Sequence, residues 1–289
     1  MTFQKDSPSK DGRAIAQINE QRVLKVVHDF GHIRVPELAA AVWPASSVES
    51  GEKMARRTTR RLLDAGLLLA RTNAFGTTSF VLSARGAVSL SAYGIEARDG
   101  YDIQGVSGPT FAHRTLGTAV LARMIGGGGT AWGEYAINHD RAPLPISVLR
   151  QRYGKVPDGI AIGEIQQGQG VSPVTYLCWV EVENTFKSNT ELDRVTSLMN
   201  TFADELDGPG AIRFAWLWIV VPTGQRHEER VVESFGRVLQ DWRPELVDMV
   251  RIVRVNVVPP LRIQDVEFVS LRDLADCLGR GALLPAFEY

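Results

Sequence analysis

The sequence predicts a two-domain α+β protein, and three observations lead to that prediction. The chain has 289 residues, more than the roughly 100 to 200 residues of an ordinary domain. Helical periodicity dominates its first part, whereas strand and helix patterns alternate after residue 111. Between them, residues 99–110 (DGYDIQGVSGPT) have the Gly, Asp, Ser and Pro content that is typical of a linker. We therefore expect one domain over residues 13–98 and a second over residues 111–289.

The distribution of charge differs between the two expected domains. The first 100 residues hold 14 Lys and Arg against 10 Asp and Glu, while the remainder holds 18 against 23. A basic first part joined to an acidic second part favours nucleic acid as a partner of the first domain. Hydrophobic residues make up 44% of the chain, which is enough to build a sizeable core.

Several classes of protein are disfavoured by the sequence. Cys178 and Cys277 are the only cysteines and show no paired spacing near histidines, which argues against a disulfide framework and a structural zinc site. The amino-terminal residues are polar and unlike a secretory signal. The longest apolar run is far shorter than the roughly 20 residues of a membrane span. We therefore expect a cytoplasmic protein that contacts no membrane.

The first domain shows three helical segments, a β-hairpin and a further helix. The ranges expected from apolar periodicity, glycine stops and β-prone runs are 13–31, 35–42 and 52–65 for the helices, 67–82 for the hairpin and 83–93 for the last helix. This is the order of elements in a winged helix-turn-helix domain. In such a domain the third helix lies in the major groove of DNA.

The third helix carries the residues that we expect to contact double-stranded DNA. Its expected core side consists of Ala55, Thr59, Leu62 and Leu63, and its expected DNA side consists of Lys53, Arg56, Arg57, Arg60 and Arg61. Such a density of cations suits phosphate contact and base readout. A helix face that is merely solvated usually mixes both signs, whereas Asp64 and Glu96 are the only acids within residues 54–98. At the hairpin turn, Arg71 and Asn73 are further candidates, although such turns often contact nothing.

The second domain has a mixed order of strands and helices with a buried apolar strand, which implies a sheet covered by helices. The expected strands lie near 130–138, 159–163, 174–183, 212–221 and 250–258, and the expected helices lie near 111–124, 189–206, 227–241 and 271–278.

Carboxylates stand out at two places in this domain. Asp158 lies in a Val-Pro-Asp-Gly segment that leads into a strand, and Glu181 and Glu183 end an apolar strand. Alternate residues of a strand share a face, so the two glutamates point the same way while Val180 and Val182 point into the core. Neighbouring carboxylates repel each other and are costly to bury unless a cation lies between them. With Asp158 they form an oxygen-ligand set that suits Mg²⁺ or Mn²⁺.

This pattern resembles the PD-(D/E)xK nuclease core, in which carboxylates hold divalent metals and a lysine positions the attacking water. More narrowly, the chain resembles the replication-relaxation proteins of bacterial plasmids and integrated elements, which join a winged helix to such a domain. The resemblance implies that Asp158 and Glu181 are the motif acids and that both bind the metal. Glu183 departs from the motif because it occupies the place of the usual lysine, and Lys187 would supply the amine instead.

Two further residues enter through the same resemblance. Glu134, expected on the first strand, would be an additional metal ligand, and His113 matches a histidine that is common at that point in the replication-relaxation proteins. Each residue also has a simpler interpretation. Asp158 can belong to a Pro-Asp-Gly turn, the glutamates of the 174–183 strand to an exposed edge, Glu134 to a solvated strand and His113 to helix packing.

Two functions remain open at this point. The first is a Mg²⁺- or Mn²⁺-dependent DNA endonuclease or nickase that acts in plasmid or mobile-element replication or mobilisation. The second is a non-catalytic DNA-binding protein, such as a replication accessory factor or a transcriptional repressor. A regulator with an effector pocket is less consistent with acids on adjacent strands. A homodimer fits either function, because half-sites on duplex DNA repeat with the helical turn.

Overall fold

The computed structural model describes residues 12–98, 103–165, 174–184, 189–206, 214–239 and 244–281. Over these residues the chain is a mixed α+β protein with one three-stranded and one six-stranded sheet, which confirms the predicted mixture of helix and strand. Within the same residues, no helix has both the length and the apolar character that crossing a membrane requires.

The amino-terminal part contains four helices and a small antiparallel sheet. Its helices are α1 (Gly12–Phe30), α2 (Val35–Val42), α3 (Val48–Asp64) and α4 (Ala84–Ser91), and its strands are β1 (His32–Ile33), β2 (Leu68–Thr72) and β3 (Thr78–Leu82). Strand β3 lies between β1 and β2. Helix α3 begins four residues before the expected position, because the Ser47 side chain caps it by accepting a hydrogen bond from the Ser50 backbone N–H at 3.3 Å.

The carboxy-terminal part is built on the six-stranded sheet. Its helices are α5 (Gly108–Gly126), α6 (Glu134–Asn138), α7 (Ile146–Tyr153), α8 (Asn189–Leu206), α9 (Gln225–Leu239), a 3-10 helix (Pro244–Met249) and α10 (Leu271–Cys277). Its strands are β4 (Thr130–Gly133), β5 (Gly159–Ile165), β6 (Val174–Val182), β7 (Phe214–Pro222), β8 (Val250–Val258) and β9 (Arg262–Ser270), in that spatial order. Strand β7 runs parallel to both β6 and β8, and the other pairs are antiparallel.

The expected strand at 130–138 is wrong in its second half. The sheet pairing ends where Gly133 lies opposite Gly159, and helix α6 begins at Glu134. A carboxylate in the first turn of a helix interacts favourably with the helix dipole, which suits Glu134 to this position. Helix α7 and strand β9 were not predicted, because α7 has only two buried positions and β9 is an exposed edge strand with little apolar alternation.

Two apolar cores cover the two faces of the large sheet. On one face, Val180 and Val220 pack with α5 and with α1, α2 and α3, so that one continuous core joins the two parts of the chain. On the other face, Trp179 and Ile219 pack with α7, α8, α9 and α10. Helix α5 packs closely against α2, and Gly126 makes this possible: a Cβ atom at that position would lie 2.2 Å from the Ala40 carbonyl oxygen.

A buried ion pair also connects the two parts. The Arg34 guanidinium, before α2, pairs with Glu37, and their side chains are 9% and 2% exposed. Arg34 also donates a hydrogen bond to the Leu261 carbonyl oxygen at 2.8 Å, in the turn between β8 and β9. The amino-terminal helices are therefore tied to the edge of the large sheet by charge-assisted contacts as well as by apolar packing.

Candidate nucleic-acid interface and acidic site

Helix α3 separates an apolar face from a cationic one. Ala55, Thr59 and Leu62 are buried against α1 and α2, as expected for its core side, while Leu63 is half-buried. The side chains of Lys53, Arg56, Arg57 and Arg60 are exposed on the other side. The separation follows from helical spacing, because residues three and four positions apart share a face.

Most of these cations are available to an external partner. Arg56 pairs with Glu52 at 2.5 Å, and the partly exposed Arg61 pairs with Glu20 at 2.7 Å. Among the residues that the structure describes, Lys53, Arg57 and Arg60 form no ion pair. The exposed face of α3 therefore carries three positive charges that no acid of the described chain neutralises.

The hairpin turn between β2 and β3 uses Asn73 for its own structure. This side chain is 5% exposed and donates hydrogen bonds to Thr77 Oγ1 at 2.8 Å and Ser79 Oγ at 3.1 Å. Its Oδ1 accepts a hydrogen bond from the Phe75 backbone N–H at 3.0 Å. The expected DNA contact by Asn73 is therefore replaced by a role in shaping the turn, whereas the partly exposed Arg71 remains at the surface.

Glu181 is buried with both of its carboxylate oxygens engaged. It is 0% exposed on the central strand β6, so the alternative of an exposed edge strand is wrong. Trp179 Nε1 donates to Glu181 Oε1 at 2.6 Å, and Lys155 forms an ion pair with Oε2. A charge-assisted contact of this kind offsets the cost of burying a carboxylate. Glu183 is also buried, at 3% exposure, and its backbone N–H donates to the Val220 carbonyl oxygen.

Asp158 lies directly before β5 and is hydrogen-bonded to two backbone groups of β6. Its Oδ2 accepts a hydrogen bond from the Val182 backbone N–H at 2.8 Å, and its backbone N–H donates to the Val180 carbonyl oxygen at 3.0 Å. Its Oδ1 lies 2.9 Å from His113 Nε2, on α5. The other ring nitrogen of His113, Nδ1, lies 3.1 Å from Asn184 Oδ1. His113 therefore links α5 to the residue before β5 through Nε2 and to the segment after β6 through Nδ1.

Glu134 has a partner of its own. The Arg114 guanidinium contacts both of its carboxylate oxygens, at 2.8 and 3.0 Å, in a bidentate pair. Both side chains are partly exposed, so this pair contributes modestly to stability. Arg114 and Lys155 were not predicted from the sequence. The usable signal was their position, because Arg114 follows His113 directly and Lys155 precedes Asp158 by three residues.

The nominated acids are contacted from different sides in this structure. Glu181 is contacted from the face of the sheet that packs on α7 and α8, whereas Asp158 is contacted by His113 from the α5 face. Glu134 points to Arg114. Within the described ranges, no three His, Cys, Asp or Glu side chains lie close enough together to hold a metal ion. Lys187, the expected amine donor, lies outside the described residues.

A cavity of about 110 Å³ lies beside these ion pairs, where α1, α5 and α6 meet. Its lining includes His32, His113, Arg114, Glu134, Tyr135 and Asp158. His32, in this lining, and His28, near the end of α1, are both buried. Burial lowers the pKa of each imidazole to about 4, with the positive charge of Arg141 adding to the effect at His28 and that of Arg114 at His32.

Because of these two histidines, we expect the free energy of unfolding to decrease as the pH is lowered below about 6.5, the ordinary pKa of histidine. The unfolded chain binds protons there and the folded chain does not, so each histidine costs up to about 1.4 kcal/mol per pH unit between pH 6.5 and 4. Urea unfolding followed by tryptophan fluorescence at about pH 7.5 and about pH 5 measures the loss. The His28→Gln/His32→Gln variant should lose much of this dependence; equal dependence in both proteins would contradict the assignment.

The fold and the site together define a mixed α+β protein with two features. One is a cationic helix, α3, three of whose charges no described acid neutralises, and the other is an acidic cluster (Asp158, Glu181 and Glu134) whose members contact side chains of the same chain. Comparison of the sequence with models of known protein families and with curated proteins finds no match.

Proposed function

We propose that the protein binds double-stranded DNA through a winged helix-turn-helix domain over residues 13–98. We further propose that the part of the chain after residue 111 is a nuclease-like scaffold that supports this binding without cutting DNA. The observation that carries the proposal is the exposed face of α3, where Lys53, Arg57 and Arg60 have no acidic partner among the described residues.

The order of the amino-terminal elements supports this proposal. Helices α1, α2 and α3 precede the antiparallel hairpin of β2 and β3, and α4 follows it. In a helix-turn-helix the second helix of the motif carries its base contacts on the exposed side, where α3 has its cations. Duplex DNA carries one negative charge per roughly 1.7 Å of axis, so cations held in a row on a rigid helix match its charge.

The acidic cluster supports a scaffold more than a catalytic centre. Three of the nominated acids contact a side chain of the same chain: Lys155 contacts Glu181, His113 contacts Asp158 and Arg114 contacts Glu134. A metal would have to displace these partners and bring together carboxylates that are contacted from both faces of the sheet. The second candidate is a Mg²⁺- or Mn²⁺-dependent endonuclease, and one observation favours it. Asp158 is hydrogen-bonded to Val180 and Val182, the two neighbours of Glu181 on β6.

Binding is tested by titrating a labelled duplex with the purified protein and following fluorescence anisotropy at several salt concentrations. We expect binding that weakens steeply with salt. The three unneutralised cations of α3 should together contribute about −3 to the slope of log K against log salt if each contacts a phosphate, because each contact contributes roughly −0.9. Absence of binding at low salt would contradict the proposal.

Cleavage is tested on supercoiled plasmid incubated with the protein in Mg²⁺, Mn²⁺ or EDTA. We expect the plasmid to stay supercoiled in all three conditions. Metal-dependent nicking or linearisation that is lost in both Asp158→Ala and Glu181→Gln variants would instead establish the endonuclease. Circular dichroism of the two variants is the control, because it separates loss of a catalytic group from loss of the fold.

A further inference from the structure

A second cationic segment lies outside the amino-terminal domain. Residues 141–157 hold four cations and no Asp or Glu, and the cations are Arg141, Arg150, Arg152 and Lys155. Helix α7 occupies the middle of this segment. Neither the α3 interface nor the acidic cluster, apart from Lys155, accounts for this concentration of positive charge.

Packing fixes the orientation of α7. Leu149 and Tyr153, one helical turn apart, are buried against the sheet, and the Tyr153 ring lies 5.3 Å from the Trp179 ring. This contact leaves Arg150 and Arg152 exposed to solvent. The helix ends at Gly154, whose φ of 66° is accessible to glycine at little cost. Lys155 follows Gly154 in the sequence and pairs with Glu181, so the carboxyl end of α7 leads into the acidic cluster.

The two exposed arginines have the chemistry of phosphate ligands. Within the described part of the chain Arg150 forms no ion pair, and the Arg152 guanidinium lies 5.7 Å from the Tyr153 ring centroid. A guanidinium presents its N–H groups as a planar fork that matches two phosphate oxygens. Arginines in the last turn of a helix also interact favourably with the helix dipole, but that interaction does not require the guanidinium to be exposed to solvent.

The neighbouring acids present little obstacle to a polyanion. Glu181 is buried and paired with Lys155, and Asp158 is paired with His113. Because Lys155 offsets the charge of Glu181 and the Asp158 carboxylate accepts a hydrogen bond from the Val182 backbone N–H, a DNA strand that approaches α7 meets little repulsion from these acids. The contacts within the acidic cluster and the positive charge of α7 therefore both favour the approach of DNA.

We propose that α7 is a second DNA contact, at which Arg150 and Arg152 bind phosphates of the duplex backbone. This inference rests on the proposed function, because it assigns to the second part of the chain a share in binding the same DNA. A contact of this kind adds affinity without adding sequence preference, since phosphates are the same at every base pair.

The test compares three double variants of the full chain in the anisotropy assay. Arg150→Gln/Arg152→Gln removes the α7 contact, and Arg57→Ala/Arg60→Ala removes the α3 contact. Arg262→Gln/Arg280→Gln is the charge-matched control, because it removes two positive charges outside both proposed contacts. These are the exposed Arg262 on β9 and the partly exposed Arg280 after α10, which pairs with Glu233 at 3.2 Å. Thermal unfolding of each variant shows whether its fold is intact.

We expect the α7 variant to bind about 10-fold more weakly than the control at low salt and to reduce the magnitude of the salt slope by about 1 to 2. The loss should be equal for duplexes of different sequence. An α7 variant equal to the control, beside a weakened α3 variant, would overturn this inference and leave the proposed function standing. A weakened α7 variant beside an unaffected α3 variant would support α7 and contradict the proposed role of α3. Absence of binding by the wild-type protein would overturn both.

Discussion

Replacement of Arg57 and Arg60 together by alanine is expected to weaken binding of duplex DNA by at least about 30-fold. Both side chains are exposed on α3 and have no acidic partner among the described residues, so their loss removes contacts to DNA without breaking contacts within the protein. A cation that reaches a base edge contributes roughly 1 to 3 kcal/mol, and about 1.4 kcal/mol corresponds to a tenfold change in affinity. The salt slope should also fall in magnitude by about 2 if both arginines contact phosphates instead.

Anisotropy titrations at low salt measure this loss. The Arg262→Gln/Arg280→Gln protein serves again as the control, since it has the same net charge as the α3 variant. Equal losses in the two variants would show that net charge alone governs binding and that α3 is not the interface. A loss confined to the α3 variant, with an unchanged thermal unfolding curve, is the expected result.

Replacement of Arg34 by methionine is expected to lower the free energy of unfolding by about 3 to 5 kcal/mol. The Glu37 carboxylate, 2% exposed, would lose its cation, and an unpaired buried charge is among the most destabilising changes that one substitution can make. The hydrogen bond to the Leu261 carbonyl oxygen would be lost as well. Urea unfolding followed by tryptophan fluorescence measures the change.

The double variant Arg34→Met/Glu37→Met separates the charge effect from packing. It should recover most of the lost stability, because a buried ion pair replaced by apolar side chains is often close to neutral. Lys25→Met is the matched control, since it breaks the exposed pair with Asp29 and should cost less than about 1 kcal/mol. A single Arg34 variant as stable as the Lys25 variant would contradict the assignment. The continuous core further predicts one unfolding transition for both parts of the chain.

The acidic site shows how far the sequence could be interpreted. The strand at 174–183 and the burial of Val180 and Val182 were predictable, because alternation fixes which residues share a face. The contact of Asp158 and Glu181 from opposite faces of the sheet was not predictable, because a strand pattern gives no information on how a residue before the strand turns its side chain. The Val182 backbone N–H and His113 hold Asp158, whereas Lys155 and Trp179 hold Glu181. The most distant of these partners, His113 on α5, is separated in the sequence from Asp158 by β4, α6 and α7.

The sequence by itself determined the local elements and the chemical character of α3. Apolar spacing fixed its core side, and the absence of acids around Arg57 and Arg60 fixed its charge. Only the tertiary structure decided that Glu134 begins a helix, that Asn73 is used within its turn and that Arg34 ties α2 to the distant turn at Leu261. The physical reason is the distance along the sequence over which each kind of interaction acts. Periodicity and turn chemistry act over a few residues, whereas the partner of a buried charge is set by which strands and helices pack together.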